Sequence, residues 1–164
     1  DPDMLEVGNG LTHNEDRAHF TMWCMLSAPL ILGNDIRTVD PKTLSILLNG
    51  RVIAIDQDPL GVQGYRFMRE GDLEVWLKPL AGGHWAFCLL NRGKEDITYT
   101  IDWPRFDWTD EEVSKLSTDF STRTYEIENL WAEGKRSAEG TTKKAKTVTV
   151  PSHDVVLYRL VPKR

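Results

Sequence analysis

This chain is poor in the residues that mark most specialised chemistries. Two cysteines in 164 residues cannot build a disulfide framework. Cys24 lies in Met22-Trp23-Cys24-Met25 and Cys88 in Phe87-Cys88-Leu89-Leu90, and both read as small buried hydrophobes. The four histidines are scattered. His13 and His19 are six apart, which puts them on different faces of a helix, so no zinc site is expected. No Asn-x-Ser/Thr acceptor, nucleophile elbow or glycine-rich phosphate loop occurs. No apolar run approaches the length of a membrane span. The net charge is −5 with the two signs interspersed, which excludes the concentrated basic face that nucleic acid requires. The one basic run, Lys143-Lys144-Ala145-Lys146, reads as a solvated hairpin tip.

With 40% hydrophobic residues, the chain can build a packed core of ordinary domain size. Its hydrophobic period changes along its length. Up to about residue 61, strand-like and helical runs alternate, the grammar of an α/β layer. Thr12-His13-Asn14-Glu15 has capping-box spacing, and Ala18, Met22, Met25 and Leu26 then recur at helical intervals. Leu30-Ile31-Leu32-Gly33 lacks alternation, as in a strand covered on both faces. Asp40-Pro41 opens a second helix that Asn49-Gly50 stops, and Val52-Ile53-Ala54-Ile55 is another apolar run. From about Val62 the period is two. Leu73, Val75 and Leu77 form one face of a strand, and 97–101, 147–150 and 155–160 alternate likewise. Six or seven short strands imply an antiparallel sandwich. Thr109-Asp110-Glu111-Glu112 repeats the capping spacing and predicts a short helix inside the loop between Trp103 and Thr122. Of the six tryptophans, Trp76, Trp85 and Trp131 lie in strand-like runs and Trp103 and Trp108 flank that loop. Packing is the favoured role for them over an exposed sugar platform.

Carboxylates collect at the start. Asp1-Pro2-Asp3-Met4-Leu5 reads as a strand end bearing two acids, which a fold tolerates where a pocket uses them. Asn34-Asp35 follows the second apolar run, with Asp35 more simply a turn cap. Asp56-Gln57-Asp58-Pro59 lacks the glycine and later glutamate of a calcium loop and reads as a linker turn.

Taken together, Asp1-Pro2-Asp3-Met4-Leu5, Gly8-Asn9-Gly10-Leu11-Thr12, Ser27-Ala28-Pro29-Leu30 with Asn34-Asp35-Ile36, and Ile55-Asp56-Gln57-Asp58-Pro59-Leu60-Gly61 closely resemble the α-galactosidases (melibiases) of glycoside hydrolase family 27. Leu73-Glu74-Val75-Trp76, Asn91-Arg92 and Asn129-Leu130-Trp131 resemble that family's C-terminal β-domain. The resemblance implies an α+β chain: residues 1–61 the last strand/helix units of a (β/α)8 barrel, and residues 62–164 an antiparallel β-sandwich. It also implies that Asp3 hydrogen-bonds sugar hydroxyls and that Met4 contacts the sugar beside it. The family's nucleophile and acid/base lie on earlier strands that this sequence does not contain, so the resemblance implies no catalytic residue here, no cofactor and no metal. Asp1 and Asp3, on one strand end, cannot flank a sugar from opposite faces as a retaining pair about 5–5.5 Å apart must. Asp1 is expected to hold its loop instead.

The expectation is therefore the C-terminal part of a retaining α-galactosidase acting on terminal α-D-galactosyl residues, inactive alone, its parent secreted or periplasmic. The alternatives are a non-catalytic carbohydrate-associated or structural β-sandwich, or the α-N-acetylgalactosaminidase and β-L-arabinopyranosidase siblings. An unclosed barrel remnant leaves apolar side chains uncovered at roughly 1.5–3 kcal/mol each. The expected partners are accordingly the N-terminal barrel portion or a second copy, with a galactoside as substrate and neither nucleic acid nor membrane.

Overall fold

The computed structural model describes residues 2–132 and 134–163. Helix α1 spans His13–Met25. The Thr12 hydroxyl accepts from the Glu15 amide and the Glu15 carboxylate accepts from the Thr12 amide, so the capping box forms as expected. Helix α2 spans Pro41–Leu47, with Asp40 accepting from the Lys42 and Thr43 amides.

The next apolar run is not a strand. Residues Gly50–Asp56 form helix α3, because the Asn49 side chain caps the Arg51 and Val52 amides. Burial of Val52, Ile55 and Asp56 follows the helical interval. Leu30–Gly33 departs from expectation too. Its pairing is a single parallel bridge, Leu5 to Leu32, and Ile31 and Leu32 are 58% and 36% exposed. A strand buried on both faces needs neighbours on both sides, and among the described residues it has one.

Eight strands follow among the described residues: β1 (Tyr65–Glu70), β2 (Leu73–Leu80), β3 (His84–Asn91), β4 (Ile97–Ile101), β5 (Tyr125–Asn129), β6 (Ala138–Thr141), β7 (Lys146–Val150) and β8 (Val155–Pro162). A six-stranded antiparallel sheet runs β1-β2-β3-β8-β5-β6, and β4 pairs with β7 in a second sheet. Lys143–Ala145 is a solvated turn, but it crosses from one sheet to the other and is not a hairpin tip, and Lys146 opens β7 and pairs with Glu139 at 2.9 Å. The expected helix at 109–113 is replaced by a turn. Asp110 Oδ1 accepts from the Glu112 and Val113 amides, its Oδ2 accepts from Ser114, and the chain doubles back to pair Thr109 with Ser117. The residue holding the turn is Asp110, one position past the threonine that the spacing singled out.

The larger sheet is buried on both faces. Leu73, Val75, Leu77, Trp85, Phe87, Leu89, Tyr158 and Leu160 meet Ile101, Trp103, Phe106, Phe120 and Val150 in the sandwich core. On the other face Leu80, Ala86, Cys88, Val155 and Leu157 pack against Phe20, Cys24, Met25, Val52 and Ile55 of the helices. Both cysteines are free and buried, as read, and burial pushes both thiols far up. The two parts of the chain therefore share a core. Polar ties cross it as well: Asn49 Nδ2 donates to the Leu130 carbonyl at 3.0 Å, Arg51 to that of Ala132 at 2.9 Å, and the Ala81 amide to Asp58 Oδ1 at 2.9 Å. Lys78, wholly buried, donates to the Ser27 hydroxyl at 2.6 Å and to the Val62 carbonyl. Asp58, read in the sequence only as part of a turn, ties that turn to Ala81 through the same carboxylate oxygen that accepts from the Leu60 amide.

Candidate functional site

The predicted sugar contacts sit where the chain lies beside the Leu30–Gly33 segment. The Leu5 amide donates to the Ile31 carbonyl at 2.7 Å and the Gly33 amide returns to the Leu5 carbonyl at 2.9 Å. Gly33 suits this close approach: a Cβ there would stand 3.0 Å from the Leu5 carbonyl oxygen and 3.4 Å from Met4 Cβ, a tight fit. Leu5 and Val7 point into the core, while Asp3 and Met4 remain exposed, Met4 by 46%.

One face of α1 straps this segment down. Asp16 Oδ1 accepts from the Gly8 amide at 2.8 Å, His19 Nε2 from the Glu6 amide at 3.0 Å, and Trp23 Nε1 donates to the Asp3 carbonyl at 3.3 Å. Positions 16, 19 and 23 fall on one helical stripe. The His19 and Trp23 rings are 4.0 Å apart between centroids. Burial lowers the His19 pKa, only partly offset by the charges of Asp16 and Glu6, which favours the neutral imidazole that this acceptor role demands. Sequence reading treated His19 as unremarkable. The signal available was a side chain able to hydrogen-bond at each of three same-face positions, 16, 19 and 23.

The Asp3 carboxylate accepts from the Met4 amide through Oδ1 at 2.9 Å, and its second oxygen has no partner among the described residues. A fixed carboxylate with a free oxygen beside a polarizable thioether can take hydroxyls at the edge of a ring and an apolar patch on its face. The neighbouring acids are engaged: Glu6 Oε2 by the Asn9 side chain at 2.7 Å, and Asp16 by Gly8. Asn34 turns away to donate to the Val7 carbonyl at 3.0 Å. Asp35 is the cap that the sequence suggested: it accepts from the Arg37 amide at 3.0 Å and pairs with its guanidinium, which lowers its pKa. The role read for Asp1 lies outside the described residues. Among the described residues no cluster of three or more His, Cys, Asp or Glu could hold a metal ion, and no helix is long and apolar enough to cross a membrane.

Beneath the site an apolar groove of about 450 Å³ opens between Leu5, Phe20, Leu32, Ile36, Leu44 and Leu48. Ile36 and Leu48 are 69% and 68% exposed. Trp103, by contrast, is fully buried with its Nε1 donating to the Lys144 carbonyl at 3.1 Å, so it is no sugar platform.

Family models for "Alpha galactosidase A" match residues 1–58, and those for "Alpha galactosidase C-terminal beta sandwich domain" match residues 70–160. The chain is 42% identical to "Alpha-galactosidase A" of Cellvibrio japonicus over 99% of its own length and 39% of that protein's. It is likewise 42% identical to the "Alpha-galactosidase" of Coffea arabica over 98% and 39%. It thus spans about two fifths of the length of these curated relatives. Among solved structures, α-galactosidase I from Mortierella vinacea superposes with a TM-score of 0.79 at 32% identity, covering 96% of this chain and 38% of that one. The motif order, the barrel-like helices on a two-sided sheet and these matches agree: the chain belongs to the glycoside hydrolase family 27 α-galactosidases and corresponds to their C-terminal portion, a barrel remnant followed by the β-sandwich.

Proposed function

We propose that this chain serves as the C-terminal part of a retaining α-galactosidase, in which Asp3 accepts hydrogen bonds from galactose hydroxyls and Met4 lies against the sugar ring. The observation that carries this reading is the Asp3 carboxylate, exposed with a free oxygen and fixed by a backbone that Trp23 and Leu5 hold. Such residues belong at the C-terminal mouth of a barrel, where enzymes of this architecture bind substrate. On this reading residues 1–61 complete a barrel and residues 62–164 form a sandwich unit. The nucleophile and the acid/base come from earlier barrel units, whose strands and helices also cover the groove at Ile36 and Leu48. The chain by itself does not hydrolyse galactosides. Among the described residues the acids beside Asp3 are engaged, Glu6 by the Asn9 side chain and Asp16 by the Gly8 amide, which supports no retaining pair within this segment.

The test joins this chain to the barrel units of the Cellvibrio japonicus relative, in place of that protein's own C-terminal portion. The hybrid is expected to cleave an aryl α-galactoside while this chain alone does not. Asp3→Asn is expected to cost about 2–3 kcal/mol in kcat/KM, on the order of a hundredfold, the scale for losing a charge-assisted bond in a desolvated pocket. An Asp3→Asn hybrid with unchanged kcat/KM, or turnover by the isolated chain, would refute the reading. An aryl α-N-acetylgalactosaminide and an aryl β-L-arabinopyranoside in the same assay separate the sibling specificities.

A further inference from the structure

Helix α1 carries two polar stripes on nearly opposite sides. At about 100° per residue, positions 16, 19 and 23 share one face and positions 14, 17 and 21 the other. The first stripe holds the backbone of Asp3, Glu6 and Gly8. The second is fastened to the sandwich. Asn14 Nδ2 donates to the Ser152 carbonyl at 3.1 Å. Arg17 forks onto the Asp154 carboxylate, Nε to Oδ1 at 2.8 Å and Nη2 to Oδ2. Thr21 Oγ1 accepts from Trp131 Nε1 at 3.0 Å, and the Arg17 guanidinium lies 5.9 Å from the Trp131 ring. Asp154 is wholly buried, and its Oδ1 also accepts from the Val155 amide at 2.7 Å. It stands at the entry to β8, the strand that α1 packs on. A buried carboxylate gripping a forked guanidinium fixes a helix in both rotation and height, because both parallel bonds must be kept together.

We propose that Asp154 is a positioning residue for the segment Asp3–Met4, acting through Arg17 and the rigid body of α1, so that the β-sandwich sets the geometry of the sugar contact from the far side of the helix. This rests on the reading of Asp3 and Met4 as sugar contacts. The sandwich thereby takes part in substrate recognition without touching substrate. Releasing Arg17 frees α1 to rotate on the sheet, and the bonds from Asp16, His19 and Trp23 loosen together.

The experiment is NMR on this chain without sugar. Amide hydrogen exchange at Glu6 and Gly8 and the titration of the His19 ring are measured in the parent and in Asp154→Asn. Exchange at both amides is expected to rise about tenfold or more, as a local opening made easier. The His19 titration is expected to move up toward the ordinary imidazole value as its acceptor bond to Glu6 weakens, with Asp16 and Glu6 the acids facing it. A loss of stability confined to the sandwich would lower the melting temperature and leave His19 unmoved. Should Asp154→Asn fail to fold, Thr21→Val removes the Trp131 tie, together with the hydroxyl's bond to the Arg17 carbonyl within the helix, at nearly constant volume, and the same two readouts are expected to move in the same direction. Exchange changes limited to residues 152–155, with Glu6, Gly8 and His19 unchanged in the folded variant, would overturn the proposal. Because no sugar is present, failure of the Asp3 reading in the hybrid enzyme leaves this result standing, and the reverse holds too.

Discussion

His19 holds a hydrogen bond that only its neutral form can accept. Burial depresses its pKa in the folded chain, so the unfolded chain binds the proton more readily. The sign follows: the His19 contribution is fully present above the unfolded value of about 6.5 and is lost as pH falls from there through the folded pKa. Urea midpoints measured from about pH 7.5 down to pH 5 should therefore fall more steeply for the parent than for His19→Gln. Equal slopes would show that the imidazole does not titrate with folding. Lys78 illustrates the same scale differently. Burial lowers its pKa, and the nearby charges of Asp58 and Asp56 partly restore it. Its ammonium meets the Ser27 hydroxyl, just past the end of α1, and the Val62 carbonyl, just ahead of β1. Neither role was visible in the residue order. His19 looked like one scattered histidine and Lys78 like a polar position on an alternating strand, because what fixes each is a partner 13 to 51 positions away.

Among the elements, those set by neighbours in sequence were the legible ones. The Thr12–Glu15 capping box, the Asp40-Pro41 start of α2 and the Asp35 cap all form as read. Thr12→Ala should lower stability by about 1 kcal/mol, the usual cost of an N-cap, read from a chemical denaturation midpoint at unchanged slope. A change within a few tenths would mean that α1 is held by packing alone. The misread elements share a cause. Val52–Ile55 is too short for its period to be told, and Asn49, taken as a stop for the preceding helix, is the cap of the next. At 109–113 the capping spacing was present but the acceptor that matters is Asp110. Burial would raise its pKa, yet the Ser114 hydroxyl and the backbone amides hold it below the ordinary carboxylate range. A spacing rule locates a cap without distinguishing a helix from a closed turn.

At the scale of the whole molecule, the six-stranded sheet is covered on both sides, so the remnant and the sandwich are energetically one body. Deleting residues 1–61 would bare Ala86, Cys88 and Leu157 and take away both Arg17 and the helix that covers the Asp154 carboxylate. The full chain should therefore unfold in one cooperative transition, followed by tryptophan fluorescence and far-UV circular dichroism together. Two separated transitions would contradict the shared core. Residues 62–164 alone should melt lower and bind a hydrophobic dye.

What residue order settled here is local or compositional: the change of period near residue 61, the caps, the burial of both cysteines and the four ordered motifs of the family. Each is written in side chains a few positions apart. The shared core, the crossing of the Lys143–Ala145 turn between sheets and the two-sided fastening of α1 came from the folded chain alone. They depend on which faces of distant segments meet, and period and spacing specify that a face is apolar or polar without specifying its partner.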